Sequence, residues 1–105
     1  VDMKLRQYCV KEMVKRDDKL PGYAIGGLVG GESKHDFWKT VYYCVQNLPR
    51  NKPIYVMGVG HTLDLIVCVC LGCDMFDSVY AARTARFGTV LTDEGELNLS
   101  KEFNK

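Results

Sequence analysis

Two short segments of this chain carry residues that could form a reactive site. Residues 26–31 include four glycines, and because glycine has no Cβ, such a segment lets the backbone approach a flat ligand closely. Asp77 lies in the apolar stretch 75–79, where a carboxylate is costly unless it is paired or used. The basic residues of segment 83–88 follow and indicate a phosphate backbone nearby. Together these segments predict a site that holds a base, attacks beside it with a carboxylate and binds a nucleic acid.

The composition is that of one modest soluble domain. The chain has 105 residues, of which 47% are hydrophobic, as is ordinary for a globular protein. Fourteen basic and thirteen acidic residues leave a net charge of +1, so any contact with nucleic acid must be local. The longest apolar run, residues 65–71, is far too short to cross a bilayer, and no membrane span is expected.

The cysteines are interpreted as reduced, structural thiols. Their odd number, five, and the lack of a recognisable secretory signal favour a cytosolic setting. Cys68, Cys70 and Cys73 have a spacing like that of metal ligands. Residues 63–71, however, are predicted to form a buried helix, in which Cys68 and Cys70 lie about 200° apart around the axis. Apolar packing of small thiols is therefore favoured over a zinc site.

Hydrophobic periodicity divides the chain into alternating helices and strands. Helices are predicted for residues 3–16, 33–48 with Ser33 as cap, and 62–72 with Thr62 as cap. Strands are predicted for residues 23–26, 54–59 and 75–79, followed by a hairpin of residues 89–91 and 96–99. Apolar strands that alternate with helices argue for a parallel sheet with helical cover, an α/β fold.

The candidate residues follow the strands, and the carboxyl edge of a parallel sheet is where ligands bind. Three strands cannot close a barrel, and open parallel sheets of three strands are uncommon. The chain is therefore predicted to be part of a larger fold.

Four motifs, in this order and at this spacing, resemble those of the tRNA-guanine transglycosylases. They are residues 26–33, 55–60, 72–77 and 83–88. The resemblance extends over residues 5–103 and implies a (β/α)8 TIM barrel. The chain would supply a partial barrel, about three β/α units plus a terminal hairpin, with residues 1–105 as the carboxyl-terminal part of that domain.

The resemblance implies base exchange in tRNA by nucleophilic catalysis. A carboxylate attacks C1′ of the wobble guanosine, expels guanine and holds the ribose covalently until queuine displaces it. Asp77 matches the nucleophile. From the residues alone, a buried aspartate that caps a loop is an equally good account of Asp77.

The resemblance also assigns residues that contact the base. Gly26 and Gly27 match the turn that lines the base pocket, with Gly27 contacting the base through its backbone. Gly30 matches the position that widens the pocket for queuine. Met57 would pack beside the base, although a core methionine accounts for it equally well.

Two segments match stretches that contact the anticodon loop. The first is a helix N-terminus with two glycines, a natural seat for phosphate, although a lone His61 is more often an exposed turn residue. The RNA-binding residues implied are Gly58, Val59, Gly60, His61, Thr62, Leu63, Asp64, Ala82, Arg83, Thr84, Ala85 and Arg86.

The chain departs from the family pattern in four ways. Ser78 stands where the family usually has cysteine, and Ala81-Ala82 stand where it has proline-threonine, which could loosen the loop that positions the wobble base. The family's zinc ligands would lie beyond Lys105, so no cofactor ligand is expected within residues 1–105. Its general acid/base aspartate would lie before Val1, and the isolated chain is therefore expected to be inactive.

The implied partners are tRNAs of the Asp, Asn, His and Tyr type, queuine, and a homologous accessory subunit in a heterodimer. The implied location is the cytoplasm, with the mitochondrial outer surface as a second site. The alternative is a non-catalytic module that binds tRNA or a partner, such as an accessory-type subunit or a truncated isoform. The intact Gly26-Gly27 turn and Asp77 favour the catalytic subunit.

Overall fold

A computed structural model describes residues 2–28 and 31–99 as four helices, five strands and a 3-10 turn at Asp17–Lys19. The elements of the first half are α1 (Met3–Val14), β1 (Tyr23–Ile25), α2 (Lys34–Asn47) and β2 (Ile54–Val56). Those of the second half are α3 (Thr62–Leu71), β3 (Met75–Phe76), α4 (Tyr80–Arg86), β4 (Thr89–Thr92) and β5 (Gly95–Asn98).

The first three strands form a parallel sheet in the order β1-β2-β3. Ala24 pairs with Tyr55, and Tyr55 pairs in turn with Met75. The last two strands, β4 and β5, form a separate antiparallel hairpin. The predicted α/β class, parallel sheet and terminal hairpin are therefore confirmed.

The core lies between α2 and one face of the sheet. The helical spacing of five apolar residues predicts one buried face for α2, and all five are buried: Phe37, Val41, Cys44, Val45 and Leu48. They belong to one cluster with Ile54 and Val56 of β2. The Oγ of Ser33 accepts a hydrogen bond from the Asp36 N–H at 3.1 Å, which confirms the predicted cap and fixes where α2 begins.

Two strands are shorter than predicted. The strand β2 ends at Val56 rather than at residue 59, and β3 ends at Phe76 rather than at residue 79. Asp77 therefore follows its strand instead of lying within it. The physical reason is the turn after β2, where Gly58 has a positive φ and donates its N–H to the carboxylate of Asp77, drawing the residue after β3 out of the ladder.

The structure corrects two further predictions at α3. The N-cap is His61, without a side-chain capping bond, and Thr62 is already helical. The helix was predicted to be buried, but of its residues only Cys68 is, while Cys70 is exposed on another face. Leu63, Ile66 and Val69 are 51%, 57% and 58% exposed. Leu63 and Ile66 border an open groove beside the hairpin, which leaves them largely uncovered.

The helix α4 was not predicted. Its seven residues are too few to show a helical apolar period, and none of them is buried. Within the described part of the chain, no helix combines the length and the apolar character that a membrane crossing requires.

We predict that residues 1–105, expressed in isolation, associate in solution. The two outer strands of the sheet, β1 and β3, each pair on one side only. Unpaired strand edges promote association, and so does exposed apolar surface. Size-exclusion chromatography with light scattering measures the mass. Replacing Leu63, Ile66 and Val69 by glutamine should reduce association while the circular dichroism spectrum is kept; a monodisperse unmodified monomer would contradict the prediction.

Candidate active site

The carboxyl ends of the three parallel strands meet at one edge of the sheet, where a cleft of about 530 Å³ opens. Loops that follow each of the strands line it, together with the beginnings of the helices α2, α3 and α4. The predicted site residues that line this cleft are Gly58, Val59, Gly60, His61, Asp64, Asp77 and Arg83. The structure therefore brings the proposed nucleophile and part of the RNA-binding set together.

Asp77 is held by two donors on the same carboxylate oxygen. Its Oδ1 accepts a hydrogen bond from the Tyr55 hydroxyl at 2.5 Å and from the Gly58 N–H at 3.1 Å. The Tyr55 bond first, and then the Gly58 bond, lower the pKa of Asp77 below its ordinary value, because both stabilise the ionised form. The same bond raises the pKa of Tyr55. Asp77 is therefore an anion at neutral pH, and the residue is exposed at this edge of the sheet.

The strand β2 presents Tyr55 toward Asp77 because side chains alternate along a strand. Ile54 and Val56 are buried toward α2, whereas Tyr55 lies on the opposite face. The sheet register places Tyr55 beside Met75 of β3, two residues before Asp77. Sequence reasoning missed Tyr55, although the alternation of buried and unburied residues in β2 was a usable signal.

The loop before α3 and the loop after β3 touch. A Cβ on Gly60 would lie 2.2 Å from the Oγ of Ser78, so only glycine allows this approach. The same Oγ accepts a hydrogen bond from the Tyr80 N–H at 3.0 Å. The rings of His61 and Tyr80 have centroids 5.1 Å apart. The two loops thus form one wall of the cleft.

Gly26, Gly27 and Met57, which are predicted to contact the base, lie outside the lining of this cleft, at the same edge of the sheet. Gly26 and Gly27 directly follow β1, and Gly27 has a φ of +73°, which requires glycine. The Sδ of Met57 lies 3.0 Å from where a Cβ on Gly26 would be, so Met57 covers the turn. Gly30 lies outside the described residues.

The remaining predicted RNA contacts are divided between the cleft and its surroundings. Arg83 lines the cleft. The other members of its segment, Ala82, Thr84, Ala85 and Arg86, do not line it, and Thr62 and Leu63 border a neighbouring groove beside the hairpin.

The side chain of Asp64, at the start of α3, is hydrogen-bonded to two side chains of α2. Its carboxylate accepts a hydrogen bond from Lys34 Nζ at 2.7 Å and one from Trp38 Nε1 at 3.2 Å. These bonds hold the start of α3 against the start of α2. Lys34, which the sequence reasoning did not single out, lines the cleft as well.

Within residues 2–28 and 31–99, no group of three or more histidine, cysteine, aspartate or glutamate side chains is placed to hold a metal ion.

Comparison with known proteins gives a consistent family. A family described as "Queuine tRNA-ribosyltransferase" matches residues 1–105. The "Queuine tRNA-ribosyltransferase catalytic subunit" of Schizosaccharomyces pombe is 58% identical over 102 residues, which are 97% of this chain and 25% of the relative. The protein of the same name from Caenorhabditis elegans is 53% identical over 97 residues, 92% of this chain and 24% of the relative.

A bacterial relative is similar as well. The "Queuine tRNA-ribosyltransferase" of Deinococcus radiodurans is 56% identical over 80 residues, 76% of this chain and 20% of the relative. The chain thus spans about a quarter or less of the length of the curated relatives it matches.

Replacing Tyr55 by phenylalanine is predicted to raise the pKa of Asp77 toward its ordinary value, since the first of the two bonds to the anion is lost. A pH titration followed by carbon-13 NMR of the carboxyl group measures this pKa. Tyr42→Phe is the control, because Tyr42 is exposed on α2. An Asp77 pKa that stays the same in Tyr55→Phe would show that Tyr55 does not set it.

Proposed function

The chain belongs to the queuine tRNA-ribosyltransferase family, and we propose that it is the carboxyl-terminal part of the barrel of a tRNA-guanine transglycosylase. The whole enzyme exchanges the wobble guanine of GUN-anticodon tRNAs for queuine. The observation that carries this proposal is the ionised Asp77, held by Tyr55 and Gly58 at the carboxyl edge of a parallel sheet.

The one-sided sheet supports the barrel. Parallel sheets are normally covered on both faces, yet here α2 and its core cover one face only. The other face carries Ala24, Tyr55 and Met75, which pair across the three strands, and Met75 is 55% exposed. In a closed barrel this face would point inward and be filled by side chains from the remaining strands.

Asp77 acts as the nucleophile of the first step. A carboxylate oxygen attacks C1′ of the wobble guanosine, the bond from C1′ to the base nitrogen breaks, and its electron pair leaves with guanine. Queuine then attacks C1′ through the corresponding nitrogen, loses its proton, and returns the electron pair of the ester to Asp77. The leaving base takes up a proton, and the entering base loses one. We assign neither proton transfer to a described residue.

The hydrogen bonds to Asp77 suit this double role. Because Tyr55 and Gly58 both bind Oδ1, they fix the carboxylate plane and direct the other oxygen at the sugar, as positioning of a nucleophile requires. The lowered pKa of Asp77 keeps it ionised for attack. It also makes the carboxylate a good leaving group in the second step.

The surroundings of Asp77 suit an RNA loop. Arg83 and Lys34 border the cleft, and cationic side chains in such positions bind phosphates. Specific RNA recognition targets unstacked loop nucleotides, and enzymes that act on a base draw it out of the stack. The wobble nucleotide would enter the open cleft, while Gly26, Gly27, Gly30 and Met57 would hold the base.

The further properties of the enzyme follow the family and belong to the proposal. They are a heterodimer with a homologous accessory subunit, a zinc site whose ligands lie outside this chain, and a cytoplasmic location that extends to the mitochondrial outer surface.

In the full-length enzyme, Asp77→Asn is predicted to abolish base exchange while tRNA binding is retained, because the amide is no nucleophile but has almost the same shape. Labelled-guanine exchange measures the activity, and denaturing electrophoresis with RNA detects the covalent adduct. Asp74→Asn is the control, because Asp74 precedes β3 and does not line the cleft; an asparagine there can still accept the hydrogen bond from the Ile54 N–H. Exchange at a near wild-type rate in Asp77→Asn would remove Asp77 as nucleophile. A wild-type protein that binds tRNA without exchange or adduct would support a non-catalytic tRNA-binding module.

Arg83→Ala is predicted to weaken tRNA binding and to lower the slope of log affinity against log salt by about 1, the value for one lost phosphate contact. Arg86→Ala should have a smaller effect, because Arg86 does not line the cleft. Arg50→Ala is the control, since Arg50 is exposed before β2 at the opposite edge of the sheet. Normal tRNA affinity and salt slope in Arg83→Ala would assign Arg83 a purely structural role.

A further inference from the structure

Arg6 reaches from α1 to the glycine turn after β1. Its Nη2 donates a hydrogen bond to the carbonyl oxygen of Gly26 at 3.1 Å, across twenty residues of sequence. Asp2 caps α1 by accepting from the N–H groups of Lys4 and Leu5, which fixes where the helix begins. The first turns of α1 thereby lie beside the carboxyl end of β1, and the half-buried Arg6 points at the turn.

The bond to Gly26 determines the direction of the next N–H. The carbonyl of Gly26 and the N–H of Gly27 belong to one peptide unit, and in a planar trans peptide the two groups point in opposite directions. No cis peptide occurs in the described part of the chain. With its oxygen held by Arg6, this peptide must turn the Gly27 N–H away from α1. Within residues 2–28 and 31–99, no acceptor is bonded to that N–H.

Two consecutive glycines have unusual freedom to rotate the peptide between them, because neither carries a Cβ. Gly27 already occupies the left-handed region, with a φ of +73°. A single-residue anchor is therefore needed if the N–H is to keep one direction. A guanidinium that binds a carbonyl makes a charge-assisted hydrogen bond, which is stronger than a neutral one.

We propose that Arg6 is a positioning residue for base recognition: by holding the Gly26 carbonyl, it presents the Gly27 N–H to an acceptor atom of the base. Guanine offers two such atoms on one edge, O6 and N7. Met57, packed on Gly26, closes the other side of the turn. The inference rests on the proposed function and adds a residue on α1, distant in sequence from all the residues assigned above.

The test uses the full-length enzyme and three variants. Arg6→Met removes the donor but keeps the aliphatic stem, and Arg6→Lys keeps a positive donor on a shorter side chain. Arg16→Met is the matched control, because Arg16 follows α1 at its far end and pairs with Glu12. Affinity for free guanine and for tRNA is measured separately, together with the kinetic constants for each and the melting temperature.

We expect Arg6→Met to weaken guanine binding and to raise the KM for the base about tenfold, a loss of about 1.4 kcal/mol, while tRNA affinity stays within twofold. Arg6→Lys should recover part of the base affinity, and Arg16→Met should behave as wild type. Unchanged guanine affinity in Arg6→Met would overturn the inference. So would equal losses of guanine and tRNA affinity in both Arg6 variants, which indicate a structural role.

A different result would contradict the proposed function itself. A wild-type enzyme that neither binds nor exchanges guanine would overturn the proposed function, and with it the role of Arg6. Wild-type exchange combined with a normal KM for the base in Arg6→Met would overturn the role of Arg6 alone.

Discussion

The position and the pKa of Asp77 both depend on hydrogen bonds to one of its carboxylate oxygens, Oδ1. The bonds that Tyr55 and Gly58 donate to Oδ1 of Asp77 tie the loop after β3 to β2 and to the turn that follows it. Only two residues of β3 pair with β2, so the backbone alone holds this loop weakly. The bonds that lower the pKa of Asp77 also fix its position, and a change in either donor would alter both properties together.

The sheet itself is asymmetric, and this asymmetry decides where the site can lie. One face packs on α2 through Ile54 and Val56, which are almost fully buried. The other face leaves Tyr55 accessible, and the polar interaction with Asp77 lies there, away from the apolar core. Asp77 itself lies beyond the end of β3 and is exposed, so water keeps the cost of its charge small.

The sequence predicted the features that depend on local pattern. The buried face of α2 and the cap at Ser33 follow from helical spacing and capping chemistry, and both are found. The separation of Cys68 from Cys70 follows from helix geometry, and it too is found. The exposure of Ile66 could not be predicted, because it depends on which elements pack against α3. The short helix α4 was missed, since it carries no apolar period.

The site could be predicted only in part, for the same reason. Asp77 and the glycine turn were found because their residue types and spacing are unusual. The contact of Tyr55 with Asp77 depends on the register of two strands, and that of Arg6 with Gly26 joins residues twenty positions apart. The alternation in β2 indicates the face on which Tyr55 lies, but the local sequence does not show the partner of Tyr55 or of Arg6, so both contacts required the fold.

The close approach of Gly60 to Ser78 has an evolutionary consequence. Because the space that a Cβ of residue 60 would need is filled by the side chain of residue 78, the two positions share one small volume. Serine and cysteine each place a single atom beyond Cβ and are nearly the same size. A cysteine in place of Ser78 would therefore leave this packing intact, whereas a branched or longer side chain at residue 78 could become fixed in a lineage only if the two loops moved apart.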